Sequence, residues 1–269
     1  MPQILLLIFL SAALISGVIY YFQNRPYKRG GHFNAAHTPH RTVNRDLGDW
    51  GEYLTYRTLS ELPGDKKFLF NCYVPKGNGT FTEVDLIMLH TSGIYVFESK
   101  NYSGWIFGSE PERQWTQSFR SGRNVRFYNP LMQNANHVKH LRRFLPGLVP
   151  ETFYSVVVFG DRCELRKITQ TSSRHLLVKR DRLLQAIEPY LQWQLLYPAS
   201  VEALYQHLLP QTQLTEAQKQ AHIRRVSDIA EHRVCPYCGS AMVVRTARKT
   251  GQQFYGCSKY PACSYTAND

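Results

Sequence analysis

Two acidic residues and a lysine in one short segment have the types and spacing of a metal-dependent hydrolytic site: Asp85, a spacer, and then Glu98-Ser-Lys100. The flanking apolar residues predict two strands, and a turn centred on residues 91–92 would place Asp85 opposite Glu98. The same register pairs Leu89 with Ile94 and Ile87 with Val96. Facing carboxylates repel each other, and a bound divalent cation would relieve that repulsion. The pattern therefore predicts that Asp85 and Glu98 hold Mg²⁺ or Mn²⁺.

Lys100 lies two residues after Glu98, so its side chain would point to the same face of the strand. There it could orient an attacking water or neutralise the charge that develops on a phosphoryl group. The alternative interpretation is a cross-strand ion pair between Glu83 and Lys100 beside two ordinary surface acids. Because an Asp, a spacer and Glu-x-Lys often occur by chance, the surrounding sequence has to decide between the two.

Four cysteines near the carboxyl terminus form a second candidate site, with the more specific spacing. They are Cys235, Cys238, Cys257 and Cys263, arranged as two close pairs. Such pairs predict a tetrahedral Zn²⁺ site. The segment around them is too short to bury a stable apolar core, so zinc would supply its folding energy.

The composition limits the partners and the compartment. The 269-residue chain has 32 Lys and Arg against 20 Asp and Glu, a formal charge of +12, which favours nucleic acid or an anionic lipid surface. Apart from the clustered cysteines, only Cys72 and Cys163 remain, so a secreted disulfide framework is not indicated. We expect the globular part to lie in the reducing cytoplasm.

The amino-terminal segment is apolar enough to span a membrane. Residues 3–22 contain no charged side chain, and about twenty helical residues cross a bilayer core. A cleavable signal peptide is the alternative, but no Lys or Arg precedes the segment and no clear cleavage site follows it. Basic residues after the span predict a cytoplasmic location for the rest, at the bacterial inner membrane. Residues 24–44 predict a basic linker that could touch anionic lipid, or a plain solvated tether.

The central part reads as a mixed α/β domain. An amphipathic helix is predicted over residues 47–62, followed by strands over 68–74, 83–89 and 93–98. Later strands at 154–160 and 176–178, with a helix through Tyr190, complete a mixed central sheet. A polar helix over 212–232 would link this domain to the cysteine module. The predicted divisions are an anchor at 1–23, a linker at 24–44, a central domain at 45–210, a helical linker at 211–231 and a ribbon at 232–269.

The segment from Arg113 to Arg143 contains seven Lys or Arg residues and no acid, interleaved with aromatic side chains. This combination predicts a surface that follows phosphates, with Arg123 and Arg126 as contacts and stacking by nearby aromatics. The aromatics are Trp115, Phe119, Phe127 and Tyr128. The alternative is an ordinary solvated face with some of the aromatics in the core.

The motifs of the central domain resemble the nuclease-related domain, NERD. They are Gly48-x-x-Gly51-Glu52, Glu83-Val-Asp85, Gly93-Ile-Tyr-Val-Phe-Glu98-Ser-Lys100-Asn101 and Asn129-Pro-Leu-x-Gln133-Asn134-x-x-His137. The resemblance implies a restriction-endonuclease-like fold of the PD-(D/E)xK type. It also implies catalytic roles for Glu52, Asp85, Glu98, Lys100 and Gln133, with Asp85 and Glu98 holding the metal. Gln133 and His137 could project from one helical face, or lie on a partly exposed helix without a role.

The cysteine module resembles the zinc ribbons at the carboxyl terminus of type IA DNA topoisomerases, which bind single-stranded DNA. The resemblance rests on Cys235-Pro-Tyr-Cys-Gly, on Phe254-Tyr-Gly-Cys and on Ser-Lys-Tyr-Pro-Ala-Cys263. Basic and aromatic side chains of the module would contact nucleic acid: Arg245, Lys249, Phe254, Tyr255, Lys259 and Tyr260. A purely structural or protein-binding ribbon is the alternative.

Taken together, the sequence predicts a membrane-anchored, metal-dependent nuclease that acts on nucleic acid, DNA in preference to RNA. A non-catalytic tether that keeps DNA or RNA at the membrane is the second interpretation. A scaffold for other proteins would leave the basic and aromatic residues of the ribbon unexplained.

Overall fold

The structure, a computed structural model, describes residues 47–170, 175–247 and 253–267. The expected membrane span, the basic linker after it and Lys249 lie outside the described residues. Within those ranges, no helix combines the length and the apolar character that crossing a bilayer requires.

The described part of the chain contains five α-helices, three short 3-10 helices and twelve strands. The helices are α1 (Leu47–Ser60), α2 (Pro130–Phe144), α3 (Leu183–Leu191), α4 (Pro198–Leu208) and α5 (Glu216–Ala230). The first six strands are β1 (Lys66–Pro75), β2 (Phe81–His90), β3 (Gly93–Lys100), β4 (Gly104–Ser109), β5 (Gln114–Ser118) and β6 (Asn124–Tyr128). The others are β7 (Phe153–Phe159), β8 (Cys163–Thr169), β9 (His175–Lys179), β10 (Met242–Thr246), β11 (Gln253–Cys257) and β12 (Thr266–Ala267).

The central sheet has the order β1-β2-β3-β7-β9 and is mixed, as predicted. The first three strands pair antiparallel, whereas β3, β7 and β9 pair in parallel. The predicted register of β2 and β3 is confirmed, because Leu89 pairs with Ile94 and Ile87 with Val96. The expected Asp85–Glu98 ladder pair is wrong, since the ladder ends one step earlier at Leu86 and Phe97. The strands separate there, and the site opens at that end.

Helices cover both faces of the central sheet because each has one apolar side to bury. On one face, α1 and α3 pack through Tyr53, Leu59 and Ile187 against residues such as Phe97. On the other face, α2 and α4 pack against the alternate residues of the same strands, and Leu141 and Val201 belong to that core. The two faces fix the positions of α1 and α2 on either side of the open end.

A second sheet, with the order β6-β5-β4-β8, was not predicted. Its inner face joins the central sheet through a core that contains Ile106, Trp115 and Phe159. Trp115 is fully buried and covers Gly108, where a Cβ would stand 2.3 Å from the indole ring. These strands are not evident in the sequence because they are short and β4 carries apolar side chains on both of its sides, so their apolar alternation is weak.

The Asn-Pro motif begins α2. The Asn129 side chain accepts hydrogen bonds from the backbone N–H groups of Leu131 and Met132, and Pro130 occupies the first turn. The Asn129 amide also donates to the carbonyl oxygens of Ser109, Glu110 and Glu112. This buried residue therefore ties the start of α2 to the second sheet.

The linker helix α5 and the cysteine module contact the β1–β2 turn. The Asn78 amide donates to the Pro236 carbonyl at 2.6 Å, and Arg225 Nε donates to the Asn78 carbonyl at 3.0 Å. A second Arg225 nitrogen donates to the Gly239 carbonyl. The predicted exposed helix that links the two modules is confirmed, and it contacts both of them.

Candidate active site and zinc site

All five residues proposed as catalytic line one cavity of 560 Å³ at the open end of the central sheet. Glu52 comes from α1, Asp85 from β2, Glu98 and Lys100 from β3, and Gln133 from α2. The second sheet contributes Gln117, and Phe119 after β5 completes that side of the cavity. Residues separated by up to 81 positions in the chain thus share one cleft, which we call the acidic cleft.

Glu98 is the centre of a hydrogen-bonded network. Its carboxylate is 1% exposed, and its Oε1 lies 2.5 Å from Lys100 Nζ. His137 Nε2 lies 3.1 Å from the other oxygen, and His137 Nδ1 lies 2.7 Å from the Thr82 hydroxyl. Lys100 also donates to the Gln133 side-chain oxygen at 3.3 Å. A buried carboxylate needs such partners, and here they fix the orientation of both carboxylate oxygens.

The alternative pairing of Lys100 with Glu83 is not the one formed. Lys100 pairs with Glu98, while Glu83 is exposed and accepts a hydrogen bond from the Tyr73 hydroxyl at 3.0 Å. Asp85 lies beside Glu98 and accepts a hydrogen bond from the Ser99 backbone N–H at 3.1 Å. The motif acids and the lysine are therefore inside the cleft and not ordinary surface charges.

Two of the carboxyl groups bind protons far more tightly than usual. Burial, with the Glu98 carboxylate as the next cause, raises the pKa of Asp85 to about 7. Burial, followed by the charge of Asp85, raises the pKa of Glu52 to about 9. Burial alone would lower the pKa of Lys100, but the carboxylate of Glu98 outweighs it and the pKa is raised. Such concentrated, unbalanced negative charge is common at functional sites.

The residues fit a divalent cation held by two carboxylates. Asp85 and Glu98 are neighbours that repel each other, and both line the acidic cleft. Within the described ranges, the four cysteines are the only group of three or more possible metal ligands whose ligand atoms all lie within 4.8 Å of one another. The carboxylate oxygens of Glu52, Asp85 and Glu98 therefore do not all lie within this distance of one another, and Glu52 does not share one ligand shell with both of the other acids. Mg²⁺ needs only one or two carboxylates and takes water and phosphate as its other ligands.

The helix α2 supplies more side chains to the site and its support than the sequence predicted. His137 is 5% exposed and contacts Glu98, so the alternative that it lies on a partly exposed side of the helix is wrong. The buried Asn134 amide donates to the Val96 and Val156 carbonyls and so braces β3 against β7. Thr82, which orients His137, was not predicted at all. A four-residue spacing indicates a shared helical face but not which neighbour each side chain will meet.

The basic segment from Arg113 to Arg143 contains both exposed arginines and buried aromatic side chains. Arg123 and Arg126 are exposed, as expected of phosphate contacts. Trp115 is buried and Phe127 packs edge-on against Tyr102, so stacking of nucleic acid on these two aromatics is excluded in this fold. Tyr128 is 43% exposed.

The four cysteines meet as predicted, with all sulfur atoms within 4.8 Å of one another. Cys235 Sγ lies 3.7 Å from Cys263 Sγ, and Cys238 Sγ lies 3.4 Å from Cys257 Sγ. These separations are too long for disulfides and match the edge of a tetrahedron with Zn–S bonds of ~2.3 Å. The thiol set fits Zn²⁺, as the sequence predicted.

The ribbon strands β10, β11 and β12 place several of the proposed nucleic-acid contacts on its surface. The Arg245 guanidinium lies 5.4 Å from the centre of the Tyr260 ring, and Tyr260 is 62% exposed. Lys259 is exposed beside it, and Phe254 is half-buried. Tyr255 stacks on His232 with ring centroids 5.3 Å apart, which leaves it less free to stack on a base.

Comparisons with known proteins agree with both sites. Residues 47–160 match the family model of the nuclease-related domain, and residues 232–269 match that of the topoisomerase DNA-binding C4 zinc finger. The uncharacterized protein pXO1-01 of Bacillus anthracis is 36% identical over 151 residues, which cover 55% of this chain and 69% of that protein. A solved structure titled as a protein of unknown function, AF1548, is 12% identical with a TM-score of 0.30, covering 69% of this chain and 99% of that one.

The fold and the two sites define a nuclease-related domain followed by a C4 zinc ribbon. The chain belongs to the same family as the uncharacterized Bacillus anthracis protein, and its residues 47–160 carry the nuclease-related domain.

Proposed function

We propose that this protein is a membrane-anchored, metal-dependent nuclease that hydrolyses phosphodiester bonds of nucleic acid. The observation that carries the proposal is the convergence of Glu52, Asp85, Glu98, Lys100 and Gln133 on the acidic cleft. A restriction-endonuclease-like core of the PD-(D/E)xK type would account for two acids and a lysine at the point where β2 and β3 separate. Fold similarity alone does not establish activity, so the proposal depends on the site.

Each side chain of the cleft has a role that follows from its surroundings. Asp85 and Glu98 would hold Mg²⁺ or Mn²⁺, which when bound supplies Lewis-acid polarisation of the phosphoryl group and activation of water. His137 holds one Glu98 oxygen in place. Lys100 carries a positive charge at the cleft, where it can stabilise charge that develops on the phosphate. Gln133 positions Lys100 through its side-chain oxygen.

Glu52 has a different environment from the metal-binding pair. Its pKa of about 9 keeps it protonated at neutral pH when no cation is bound. The positive charge of a bound cation would lower this pKa, so the protonated form belongs to the cation-free protein. In the cation-bound site Glu52 would act through a hydrogen bond or a water.

The zinc ribbon would bind DNA, single-stranded in preference, and keep the substrate near the cleft. Lys259 and Tyr260 are exposed, and the half-buried Arg245 lies against the Tyr260 ring, so together they form a basic and aromatic group that can contact phosphates and stack on bases. The direct contacts of Asn78 with the ribbon and α5 support a fixed spacing between ribbon and cleft.

The test is a cleavage assay with matched variants. The purified full chain would be incubated with single- and double-stranded DNA and RNA, with Mg²⁺, with Mn²⁺ and without divalent cation. We expect cleavage that requires the cation and falls at least a hundredfold in Asp85→Asn. Glu83→Gln is the matched control, because Glu83 lies two residues earlier on the same strand but is exposed outside the cleft. Equal activity in Asp85→Asn and wild type would refute the assignment.

A non-catalytic tether for DNA or RNA is the second candidate function. The observation in its favour is that both Glu98 oxygens already have partners without a cation, at 2.5 Å from Lys100 and 3.1 Å from His137. If the network is purely structural, nucleic acid will bind tightly without being cut, and Asp85→Asn will not change either result.

Anchoring is proposed from residues 3–22 of the sequence and from the basic residues that follow them. Alkaline extraction of membranes separates an anchored protein from a peripheral one. We expect the full chain to stay in the membrane fraction, and protease added to the cytoplasmic side to digest the globular domains. Release by alkali would remove the anchor from the proposal.

A further inference from the structure

The outer face of the second sheet carries aromatic and basic side chains that neither the acidic cleft nor the ribbon uses. We call it the outer sheet face and define it by Trp105, Phe107, Arg126, Tyr128 and Arg166. Ile106 and Trp115 point inward and are fully buried, so the alternate residues of the same strands must point outward. Trp105 and Phe107 lie outside all three hydrophobic clusters of the domain.

The strand register places these side chains in rows. Phe107 pairs with Thr116, and Thr116 pairs with Arg126, so the phenyl ring and the guanidinium share a row about 10 Å long. Trp105 lies two residues before Phe107 on β4, about 7 Å along the strand. Two neighbouring aromatic side chains at that spacing can each accept a base of an extended single strand.

Trp105 is held in place by a cation. The Arg166 guanidinium lies 4.8 Å from the centre of the Trp105 ring, and its Nε lies 2.7 Å from Glu164. This contact fixes the indole orientation, and Trp105, like Phe107, is half-buried, so part of each ring remains accessible on the outer sheet face. Because Glu164 balances the charge of Arg166, phosphates would have to be bound by other arginines.

Unpaired arginines lie at one end of the same sheet. Arg120 and Arg123 occupy the exposed β5–β6 turn, and Arg126 follows on β6. In the part of the chain that the structure describes, these three form no ion pair. The turn begins at Phe119, which lines the acidic cleft, so the basic end of the sheet borders the cleft.

We propose that the outer sheet face binds single-stranded nucleic acid, with bases on Trp105 and Phe107 and phosphates on Arg126 and the arginines of the β5–β6 turn. A strand bound there would pass over the turn and enter the acidic cleft beside Phe119. Duplex would bind less well, because its bases are already stacked and paired and cannot use the aromatic side chains. The inference rests on the proposed binding of nucleic acid but not on cleavage.

Tryptophan fluorescence gives a direct test, because the ribbon contains no tryptophan. The full chain, loaded with zinc and kept in buffer without Mg²⁺ or Mn²⁺, would be titrated with oligothymidylate, with oligouridylate and with a duplex. We expect the single strands to quench wild-type fluorescence, and Trp105→Phe to lose most of the quenching while retaining the fold. Persistent quenching in Trp105→Phe would overturn the proposal.

Affinity measured by anisotropy of a labelled strand provides the second readout. Trp105→Ala should weaken single-strand binding about 5- to 150-fold, which is the range for loss of one stacked base. Arg126→Glu should weaken single-strand binding. It should also make the slope of log K against log salt concentration less steep, by an amount that corresponds to about one phosphate contact or more. Arg57→Glu, an exposed charge reversal on α1 outside the sheet, is the matched control and should behave as wild type.

Two outcomes separate this surface from the other sites. If Lys259→Glu in the ribbon abolishes binding and Arg126→Glu leaves it unchanged, the outer sheet face has no role and the inference is wrong. If cleavage never occurs but Trp105-dependent quenching persists, the nuclease proposal fails and the binding surface stands. Equal thermal unfolding of wild type and Trp105→Phe shows that a lost signal is not a lost fold.

Discussion

Asp85→Asn should make the cation-free protein more stable while it lowers cleavage at least about a hundredfold. Asp85 is a half-buried carboxyl group that lies beside Glu98 and Glu52, and its pKa rises from 3.8 to about 7 on folding. Above pH 7 this difference corresponds to roughly 4 kcal/mol of destabilisation. Because the side chain keeps partial contact with solvent, we expect about half of that, ~2 kcal/mol. Asparagine keeps an acceptor for the Ser99 N–H but carries no charge.

The sign of the pH dependence follows from linkage. Between 3.8 and about 7 the folded state binds more protons at Asp85 than the unfolded state does, so stability falls as pH rises through this range. The advantage of Asp85→Asn is therefore complete above about pH 7 and is lost as pH falls toward 3.8. Added Mg²⁺ should stabilise wild type alone and so reduce the difference.

Thermal unfolding of wild type, Asp85→Asn and the exposed control Glu83→Gln would measure the effect. At pH 8 without divalent cations, Asp85→Asn should unfold about 4–8 °C higher than wild type, and less than half of that difference should remain at pH 5. Glu83→Gln should stay within about 1 °C of wild type. A lower unfolding temperature for Asp85→Asn at pH 8 would refute the reasoning, because it would mean that the acid stabilises the fold without a cation.

Three further predictions concern the support of the sites. Asn134→Ala removes hydrogen bonds to both β3 and β7 and should lower the free energy of unfolding by about 2–4 kcal/mol in urea titrations. Asn136 is exposed on the same helix, and Asn136→Ala should change that free energy by less than about 0.5 kcal/mol. Gly93→Ala should destabilise by about 2 kcal/mol or more by the same measurement, since φ is +145° and a Cβ would stand 2.7 Å from the Thr152 carbonyl oxygen; a neutral effect would contradict the turn geometry. Metal analysis should find one Zn²⁺ per chain, and Cys238→Ser should lose it; zinc retained in that variant would exclude the four-cysteine site.

Local patterns were sufficient to predict most of the central sheet. The strands β1, β2, β3, β7 and β9 alternate or run continuously apolar, and a short turn leaves little freedom in the β2–β3 register. The cysteine site was predictable because ligand spacing within each pair restricts the geometry. The strand patterns and the cysteine spacing are both carried by residues that are close together in the sequence.

Features that depend on tertiary contact were not predictable. The β2–β3 ladder ends at Leu86 and Phe97, one step before the acids that the site uses, and no local pattern encodes that end. His137 owes its role to the burial of Glu98, which is 39 positions earlier. Trp105 and Trp115 belong to neighbouring strands of one sheet, yet one points outward and the other lies in the core. Which of the two tryptophans is available to a ligand depends on whether its position in the strand faces the core or the solvent.

The contact between Asn78 and the ribbon limits how freely evolution can exchange the two modules. Gly239 has a φ of +71°, and a Cβ there would stand 2.9 Å from the Asn78 carbonyl oxygen. Arg225 contacts Asn78 on one side and Gly239 on the other. Asn78, Arg225 and Gly239 thus depend on one another although they lie far apart in the sequence. A ribbon transplanted from another protein would form the same contacts only if α5 and the β1–β2 turn changed with it. We expect these three positions to vary together among relatives that keep this arrangement.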